Sequence, residues 1–322
     1  MRILVSGAMA AVFAFAGVGA IAQGYPAKPI QFVINYPPGA ATDIFGRIMA
    51  EQLAKRLNQP VVVDNRVGAG GVIGAEFVKR APADGYTLLF ANDNMPLLQA
   101  LTPDKTVNIV SDFAPVVLGG TVDFFLVVSG EALAAKDAQQ LVRMAKAKPG
   151  SLSYASSGIG APQHLGMELF KQQTGTDIVH VPYKGMGQGV IDMLAGRIQV
   201  AITGFPVLGP HIGGGKIRIL ASSGAKRSPL QPEAPTLAEA GIPNVEVEGF
   251  LYLVAPQGTP AAIVARLNAE ANQALAAPEV KASLAKQAIN PSGGTPEVLN
   301  AKLAGEVSKW TAVIRKAGIK PE

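Results

Sequence analysis

The sequence contains no cysteine, a single tryptophan (Trp310) and only three histidines in 322 residues. The lack of cysteine excludes disulfide bonds, thiolate metal sites, a cysteine nucleophile and a lipid attached to an N-terminal cysteine. Charged residues make up only 16% of the chain, and no Lys/Arg run is interleaved with aromatic residues, so no nucleic-acid partner is expected. Hydrophobic residues reach 48%, so a packed core must hold the chain together.

The first 22 residues have the pattern of a secretory signal peptide. Arg2 supplies a positive start, Ile3 to Ala16 is apolar, and Ala20-Ile21-Ala22 fits a small-x-small cleavage site. Removal of this segment, in which Arg2 is the only charged residue, would lower the net charge from +5 to +4. An uncleaved membrane anchor is the alternative, although no cationic segment follows the apolar stretch. We expect an exported, soluble protein that is not a lipoprotein.

The stretch from Tyr36 to Asp43 joins an apolar run, Ile30 to Asn35, to an amphipathic run, Ile44 to Leu57. This order predicts a strand, a tight Pro/Gly loop and the start of a helix. The first turn of a helix has unpaired N–H groups and a partial positive charge, so such a loop can bind a carboxylate without Lys or Arg. The alternative is an ordinary turn in which Thr42 or Asp43 caps the helix.

Strands and helices alternate along the rest of the chain, which predicts an α/β fold with doubly wound parallel sheets. Val61–Val63 and Tyr86–Ala91 read as strands of a first unit, and a second α/β pattern starts after two short strands, 116–118 and 124–129. Two units joined by two crossings suggest two lobes with a ligand cleft between them. We predict lobe one over residues 24–124 plus 246–322 and lobe two over 125–245.

Several motifs resemble cofactor- or metal-binding sites but lack a residue that such a site requires. No cofactor or metal is therefore predicted. The segment Gly68 to Gly74 nearly spells a dinucleotide fingerprint but has Ile73 where the third glycine belongs. The segment Gly213 to Lys216 lacks the flanking residues of a phosphate loop. His164 and Glu168 are four apart on a predicted helix without a third metal ligand, and His180 and His211 are interpreted as isolated.

A second Gly/Ser loop, Ser156 to His164, also leads from a predicted strand into a helix, and Tyr183 to Gly187 forms another. Their hydroxyl and N–H groups could bind a second polar group of a small ligand. An exported hydrolase using Ser156 or Ser157 is an alternative, but GxSxG does not occur and no base or acid is identifiable. A purely structural partner protein is the third class that we consider.

Seven short stretches, in this order and spacing, resemble the Bug (Bordetella uptake gene) family of periplasmic solute receptors for tripartite tricarboxylate transporters. They are Tyr25 to Ile30, Pro37-Pro38-Gly39 with Thr42-Asp43, Asn65-Arg66 with Gly68 to Gly71, Ala83 to Leu88, Val179 to Gly185, Pro210-His211-Ile212, and Ala255-Pro256 with Gly258-Thr259-Pro260. The resemblance covers essentially the whole mature chain. It implies a two-lobed periplasmic-binding-protein fold, type II-like, that closes on a ligand.

The resemblance also implies a set of ligand-binding positions. These are Tyr36, Gly39, Ala40, Ala41, Thr42, Asp43 and Asn92 in lobe one, and Ser156, Gly158, Gln163, His164, Tyr183, Thr203 and Phe205 in lobe two. Two departures stand out: Ala40 replaces a frequent second glycine, and Thr203-Gly204 stands where amino-acid-binding members often have an aspartate. The latter argues against a zwitterionic ligand, and Phe205 either faces an aromatic ring or packs in the core.

We therefore expect a monomeric, non-catalytic periplasmic receptor for a small organic carboxylate, either a di- or tricarboxylate or an aromatic dicarboxylate. It would deliver this ligand to membrane transporter subunits. A receptor that feeds a signalling partner is the variant that the sequence does not separate from it.

Overall fold

The structure, a computed structural model, describes residues 24–105 and 107–320. The predicted signal peptide lies outside these residues. None of the helices in the described part of the chain is both long and apolar enough to cross a membrane. The strands are β1 (Ile30–Ile34), β2 (Val61–Asn65), β3 (Thr87–Asn92), β4 (Phe113–Ser129), β5 (Ser153–Ser156), β6 (Val179–Pro182), β7 (Val200–Gly204), β8 (Ile217–Ser222), β9 (Glu248–Pro256) and β10 (Ile289–Pro291).

Ten α-helices in the described residues connect and cover these strands. They are α1 (Ala41–Leu57), α2 (Val72–Lys79), α3 (Asn94–Leu101), α4 (Ala138–Ala147), α5 (Pro162–Thr174), α6 (Met186–Leu194), α7 (Phe205–Leu208), α8 (Ala261–Ala276), α9 (Pro278–Ala285) and α10 (Pro296–Ala317). Helices α3 and α7 and strand β10 are additions to the predicted elements. The α/β class is confirmed.

The first half of the sheet is mixed rather than purely parallel. Strands β2, β1 and β3 are parallel, as the alternating pattern predicts, but β9 pairs antiparallel with β3 and β4 pairs antiparallel with β9. The apolar runs of β1 and β3 are buried on both faces because α1 and α8 cover one face and α2, α3 and α10 the other.

The second half is built in the same way around a parallel β7–β5–β6 group. Strands β7 and β8 both pair antiparallel with the later part of β4. Its larger core lies between these strands and helices α4 and α5, and a smaller core lies beneath α6 and α7.

Strand β4 runs through both halves, so the prediction of two separate strands at 116–118 and 124–129 is wrong. Gly119 and Gly120 lie within the strand, where neighbouring backbone atoms come very close to both. A Cβ at Gly120 would lie 2.7 Å from the carbonyl oxygen of Asn290, and one at Gly119 would lie 3.1 Å from that of Leu251. The register shifts between Leu118 and Gly120 accommodate the pair.

The strand registers bring the predicted site loops to one region of the fold. Asn92, at the end of β3, pairs with Leu251 of β9, which pairs with Gly120 of β4. A few residues further along β4, Phe125 pairs with Thr203 at the end of β7. The carboxyl ends of the parallel strands in both halves therefore face the stretch of β4 from 120 to 125. Ligands bind at such ends in open α/β sheets.

Helix α10 contributes to the cores of both halves. Leu299 and Leu303 in its first part are buried against the first half, whereas Trp310, Val313 and Ile314 in its last part are buried with residues of α4 and α5. The lobe boundaries at 124/125 and 245/246 stay a prediction. Helix α10 packs against the cores on both sides of these boundaries.

Candidate functional site

Helix α1 begins without a side-chain cap, contrary to the alternative in which Thr42 or Asp43 is the N-cap. The N-cap is Ala40, whose own N–H donates to the carbonyl of Pro37. The first N–H groups of α1, those of Ala41, Thr42 and Asp43, have no acceptor among the described residues, and Ile44 is the first to donate within the helix, to Ala40. Ala41 is exposed at this end. The loop therefore offers backbone donors to an anion.

The carboxylate of Asp43 folds back on the loop and fixes its shape. It accepts hydrogen bonds from the Gly39 N–H (2.9 Å), Arg47 Nε (3.0 Å) and Asn65 Nδ2 (2.8 Å). Asn65 Nδ2 also donates to the carbonyl oxygen of Tyr36. Burial opposes ionisation, but the bonds from Arg47, Gly39 and Asn65 outweigh it and lower the pKa of Asp43. Asp43 thus acts on the loop, and its charge is balanced by Arg47.

The remaining lobe-one positions lie beside this loop. Asn92 Nδ2 donates to Thr42 Oγ1 (3.2 Å), which joins the end of β3 to the first turn of α1. The phenol of Tyr36 is half-buried, and this burial is the largest influence that raises its pKa. Gly39 has φ +82°, a conformation that suits glycine, and no atom lies within 4 Å of where its Cβ would be. All seven predicted lobe-one residues thus lie in one cluster.

In the second half, Ser156 closes β5 and is fully buried. Its Oγ accepts from the Gly158 N–H (3.1 Å) and lies 2.6 Å from His180 Nε2. The ring of His180 stacks on that of His164, with centroids 4.0 Å apart and planes within 6° of parallel. The interpretation of His180 as isolated is therefore wrong. The parallel pairing of β5 and β6 also places His180 directly beside Tyr154.

The loop from Ser157 to His164 is held by its own side chains. Ser157 Oγ donates to Gln163 Oε1 (2.9 Å), and the Gly160 N–H donates to His164 Nδ1 (3.0 Å). Gly158 and Gly160 have φ values of +124° and +77°, which the tight path of the loop requires. A Cβ at Gly160 would lie 2.6 Å from Leu101 Cδ2, so this loop lies against the end of α3.

Three predicted residues are held mainly by protein contacts. Tyr183 donates its hydroxyl to Asp192 Oδ2 (2.7 Å), and burial together with this bond raises its pKa to about 12. Phe205 packs on Phe125 with ring centroids 5.9 Å apart, in agreement with the core-packing alternative. Thr203 is fully buried, and its Oγ1 has no hydrogen-bond partner in the described structure. The structure thus groups Ser156, Gly158, Gln163 and His164 tightly, with Tyr183 joined to them through its N–H to the Ser156 carbonyl.

Sequence reasoning missed His180 and the Arg47 and Asn65 side chains that pin Asp43. The i,i+4 spacing of Asp43 and Arg47 was a usable signal for that pair. His180 supplies the base that a Ser156 nucleophile would need, but Ser156 Oγ is buried and bonded within its own loop. In the described residues no carboxylate is hydrogen-bonded to His180 to orient it. The arrangement therefore fits a rigid loop better than a catalytic triad.

A cavity of about 620 Å³ lies beside Gln31 and Thr87, at the amino ends of β1 and β3, and is thus remote from the loops described above. Across residues 24–105 and 107–320, no three His, Asp or Glu side chains converge in a way that would hold a metal ion.

The chain is similar to known proteins over most of its length. Residues 45–319 match the family model described as "Tripartite tricarboxylate transporter family receptor". The protein BugT of Bordetella pertussis is 38% identical over 311 residues, which cover 95% of each chain. A UPF0065 protein from Pseudomonas sp. strain P51 is also 38% identical and covers 91% of this chain and 87% of its own length.

Two solved structures of relatives carry carboxylates. R. palustris Rpa4515, described with adipate, has a TM-score of 0.75 and 33% identity, covering 92% of this chain and 100% of its own. MatC from Rhodopseudomonas palustris, described with bound malate, has a TM-score of 0.71 and 28% identity, covering 90% and 100%. The periplasmic-binding-protein fold is thereby confirmed. The chain belongs to the tripartite tricarboxylate transporter receptor family, whose Bug members are periplasmic binding proteins rather than enzymes.

Proposed function

We propose that this protein captures a small organic dicarboxylate between its two lobes and delivers it to a tripartite tricarboxylate-type membrane transporter. The observation that carries the proposal is the set of unpaired N–H groups at Ala41, Thr42 and Asp43, in a loop whose nearest cation, Arg47, is already paired with Asp43. Oriented amides at a helix start bind a carboxylate without a free cation. The relatives described with adipate and malate support this ligand class.

The lobe-two loop supplies the second contact region in this proposal. The neighbouring strand β7 ends opposite Phe125 of β4, close to where β3 ends and β9 begins. The two loops would therefore meet opposite ends of one ligand. Closure of the lobes around a ligand would bury both ends and exclude water. We also propose that residues 1–22 are a cleaved signal peptide and that the receptor works as a monomer in the periplasm.

Isothermal titration calorimetry against malate, adipate, citrate and phthalate tests the ligand class. We expect binding of at least one, and no binding of the corresponding amides. Binding of none of the carboxylates would contradict the proposal. Loss of uptake of the bound compound after gene deletion would support the transport role, whereas unchanged uptake with lost induction of a response would support a sensing role.

The variant Ala41→Pro tests the amide contact specifically. Proline is tolerated at the first position of a helix and its φ fits there, so α1 should remain intact while one N–H is removed. A hydrogen bond to a charged group is worth about 1.5–3 kcal/mol, so affinity should fall roughly 10- to 100-fold. The matched control is Ala261→Pro at the first position of α8, away from the predicted loops, which should bind like the wild type.

A further inference from the structure

His164 occupies the first turn of α5 and is 6% exposed. Its Nδ1 accepts a hydrogen bond from the N–H of Gly160, four residues earlier, at 3.0 Å. This bond is buried and closes the loop in front of the helix. The N–H can only donate, so Nδ1 must be the unprotonated nitrogen of the ring.

This hydrogen bond determines the charge and the tautomer of the His164 ring. An imidazole that accepts at Nδ1 is neutral and carries its one proton on Nε2. The parallel stack on His180, with ring centroids 4.0 Å apart, further disfavours a charged ring. Burial, the largest influence, independently lowers the pKa of His164, in agreement with the geometry. His164 is therefore a hydrogen-bond donor at Nε2 and offers no acceptor there.

The Nε2 atom is the open end of this side chain. No acceptor for it occurs among the residues that the structure describes, yet it is not among their fully enclosed, unpaired polar atoms. The hydroxyls of Ser156 and Ser157, by contrast, are engaged inside the loop. Nε2–H is thus a donor held in place by the bond from Gly160 and by the stack on His180, in the first turn of the helix that follows the carboxyl end of β5.

We propose that His164 is a specificity-determining residue of the receptor, whose Nε2–H binds an acceptor oxygen at the end of the ligand remote from α1. This inference rests on the proposed function and makes it more specific. A second carboxylate satisfies the donor, whereas an ammonium group or a methyl group at that end leaves it unpaired. His164 thus selects for dicarboxylates over amino acids and monocarboxylates of equal length.

Two variants test the roles of the two ring nitrogens independently. The amide group of asparagine lies near the position of Nδ1, so His164→Asn can still accept from Gly160 but removes the remote donor. The amide of glutamine reaches the position of Nε2, so His164→Gln restores a donor there. Adipate and hexanoate, which differ only in the second carboxylate, serve as the matched ligands.

For His164→Asn we expect a 10- to 100-fold loss of adipate affinity and less than a twofold change for hexanoate. His164→Gln should bind adipate within about fivefold of the wild type. ¹⁵N NMR of the imidazoles at pH 7 should show His164 protonated at Nε2 only. If the wild type prefers malate, malate and 2-hydroxybutanoate form the equivalent pair.

Three results would overturn the role of His164 while leaving the proposed function standing. These are an Nδ1-protonated or doubly protonated ring at pH 7, an equal loss for both ligands in His164→Asn, and unchanged adipate affinity in that variant. Wild-type protein that binds neither adipate nor malate nor another carboxylate would instead remove the proposed function, and this inference with it.

Discussion

The imidazole rings of His164 and His180 lie face to face, with centroids 4.0 Å apart and an interplanar angle of 6°. Burial, and next the neighbouring His164, lower the pKa of His180 to about 4. Glu168 acts in the opposite direction on both rings, and Lys171, which is bonded to Glu168, offsets it. Both rings are therefore neutral at pH 7, and Ser156 and Gly160 are held by uncharged partners.

Acid should destabilise the protein within a defined pH window because of this pair. Between the unfolded pKa of about 6.5 and the folded value of about 4 for His180, the unfolded chain binds more protons, so stability falls as pH is lowered. One imidazole contributes at most about 1.4 kcal/mol per pH unit to this slope. Thermal unfolding from pH 7 to pH 4 measures it.

The variant His180→Gln should flatten that slope, whereas His211→Gln, which removes a histidine outside the stack, should retain it. An unchanged slope in His180→Gln would show that the acid sensitivity arises elsewhere.

Asp43→Asn should destabilise the loop that precedes α1. The amide keeps one acceptor oxygen but turns an NH₂ group toward the donors of Gly39, Arg47 and Asn65, so at least one partly buried bond is lost. We expect a loss of about 1–3 kcal/mol in the free energy of unfolding, measured in urea, together with weaker ligand binding. Because the folded pKa of Asp43 is lowered, its contribution is present above the unfolded value of 3.8 and is lost only at lower pH.

The control for this change is Glu51→Gln on the same helix. Glu51 pairs with Lys55 across an exposed turn, with about two-thirds of each side chain exposed, so the variant should change stability by less than about 0.5 kcal/mol. Equal effects of the two substitutions would contradict a special role for Asp43.

Gly39→Ala and Gly160→Ala should differ although both glycines have positive φ. At Gly39 only the backbone conformation is strained, at about 1–2 kcal/mol, because no atom surrounds the added Cβ. At Gly160 the Cβ also meets Leu101 Cδ2 at 2.6 Å, so the half-exposed leucine must shift as well, and we expect a modestly larger loss of unfolding free energy. A second change, Leu101→Ala, should recover the extra part. No recovery in the double variant would mean that the contact with Leu101 does not account for the difference between the two glycines.

Thr203→Val tests a predicted ligand contact. The hydroxyl is fully buried without a partner, so valine, which has the same shape, should leave the ligand-free protein equally stable or about 1 kcal/mol more stable in urea. If the bound ligand forms a hydrogen bond with the Thr203 hydroxyl, the same variant will bind the ligand more weakly. Unchanged affinity would remove Thr203 from the site.

The local patterns predicted the elements of this fold well where one rule dominated. The apolar runs of β1 and β3 and the four-residue spacing of Phe45, Met49, Leu53 and Leu57 became buried strands and a buried helix face. The continuity of β4 could not be read locally, because whether Gly119 and Gly120 break a strand depends on the distant groups of Leu251 and Asn290 that crowd them.

The site shows the same division between local and long-range information. The anion-ready loop at 36–43 follows from the order of strand, Pro/Gly turn and helix, and its lack of a side-chain cap leaves the amides free. The partnership of His164 and His180 could not be foreseen, because it arises from the parallel register of β5 and β6 together with the packing of α5. Asn65 likewise reaches Asp43 only because β2 is the neighbour of β1.

Helix α10 has a consequence for how this protein unfolds. Its leading residues complete one hydrophobic interior and its trailing residues complete the other, so neither half possesses a finished interior without segment 296–317. Unfolding of either half would remove apolar contacts from α10, which also packs against the other half. Denaturation should consequently proceed as one cooperative event instead of two successive ones.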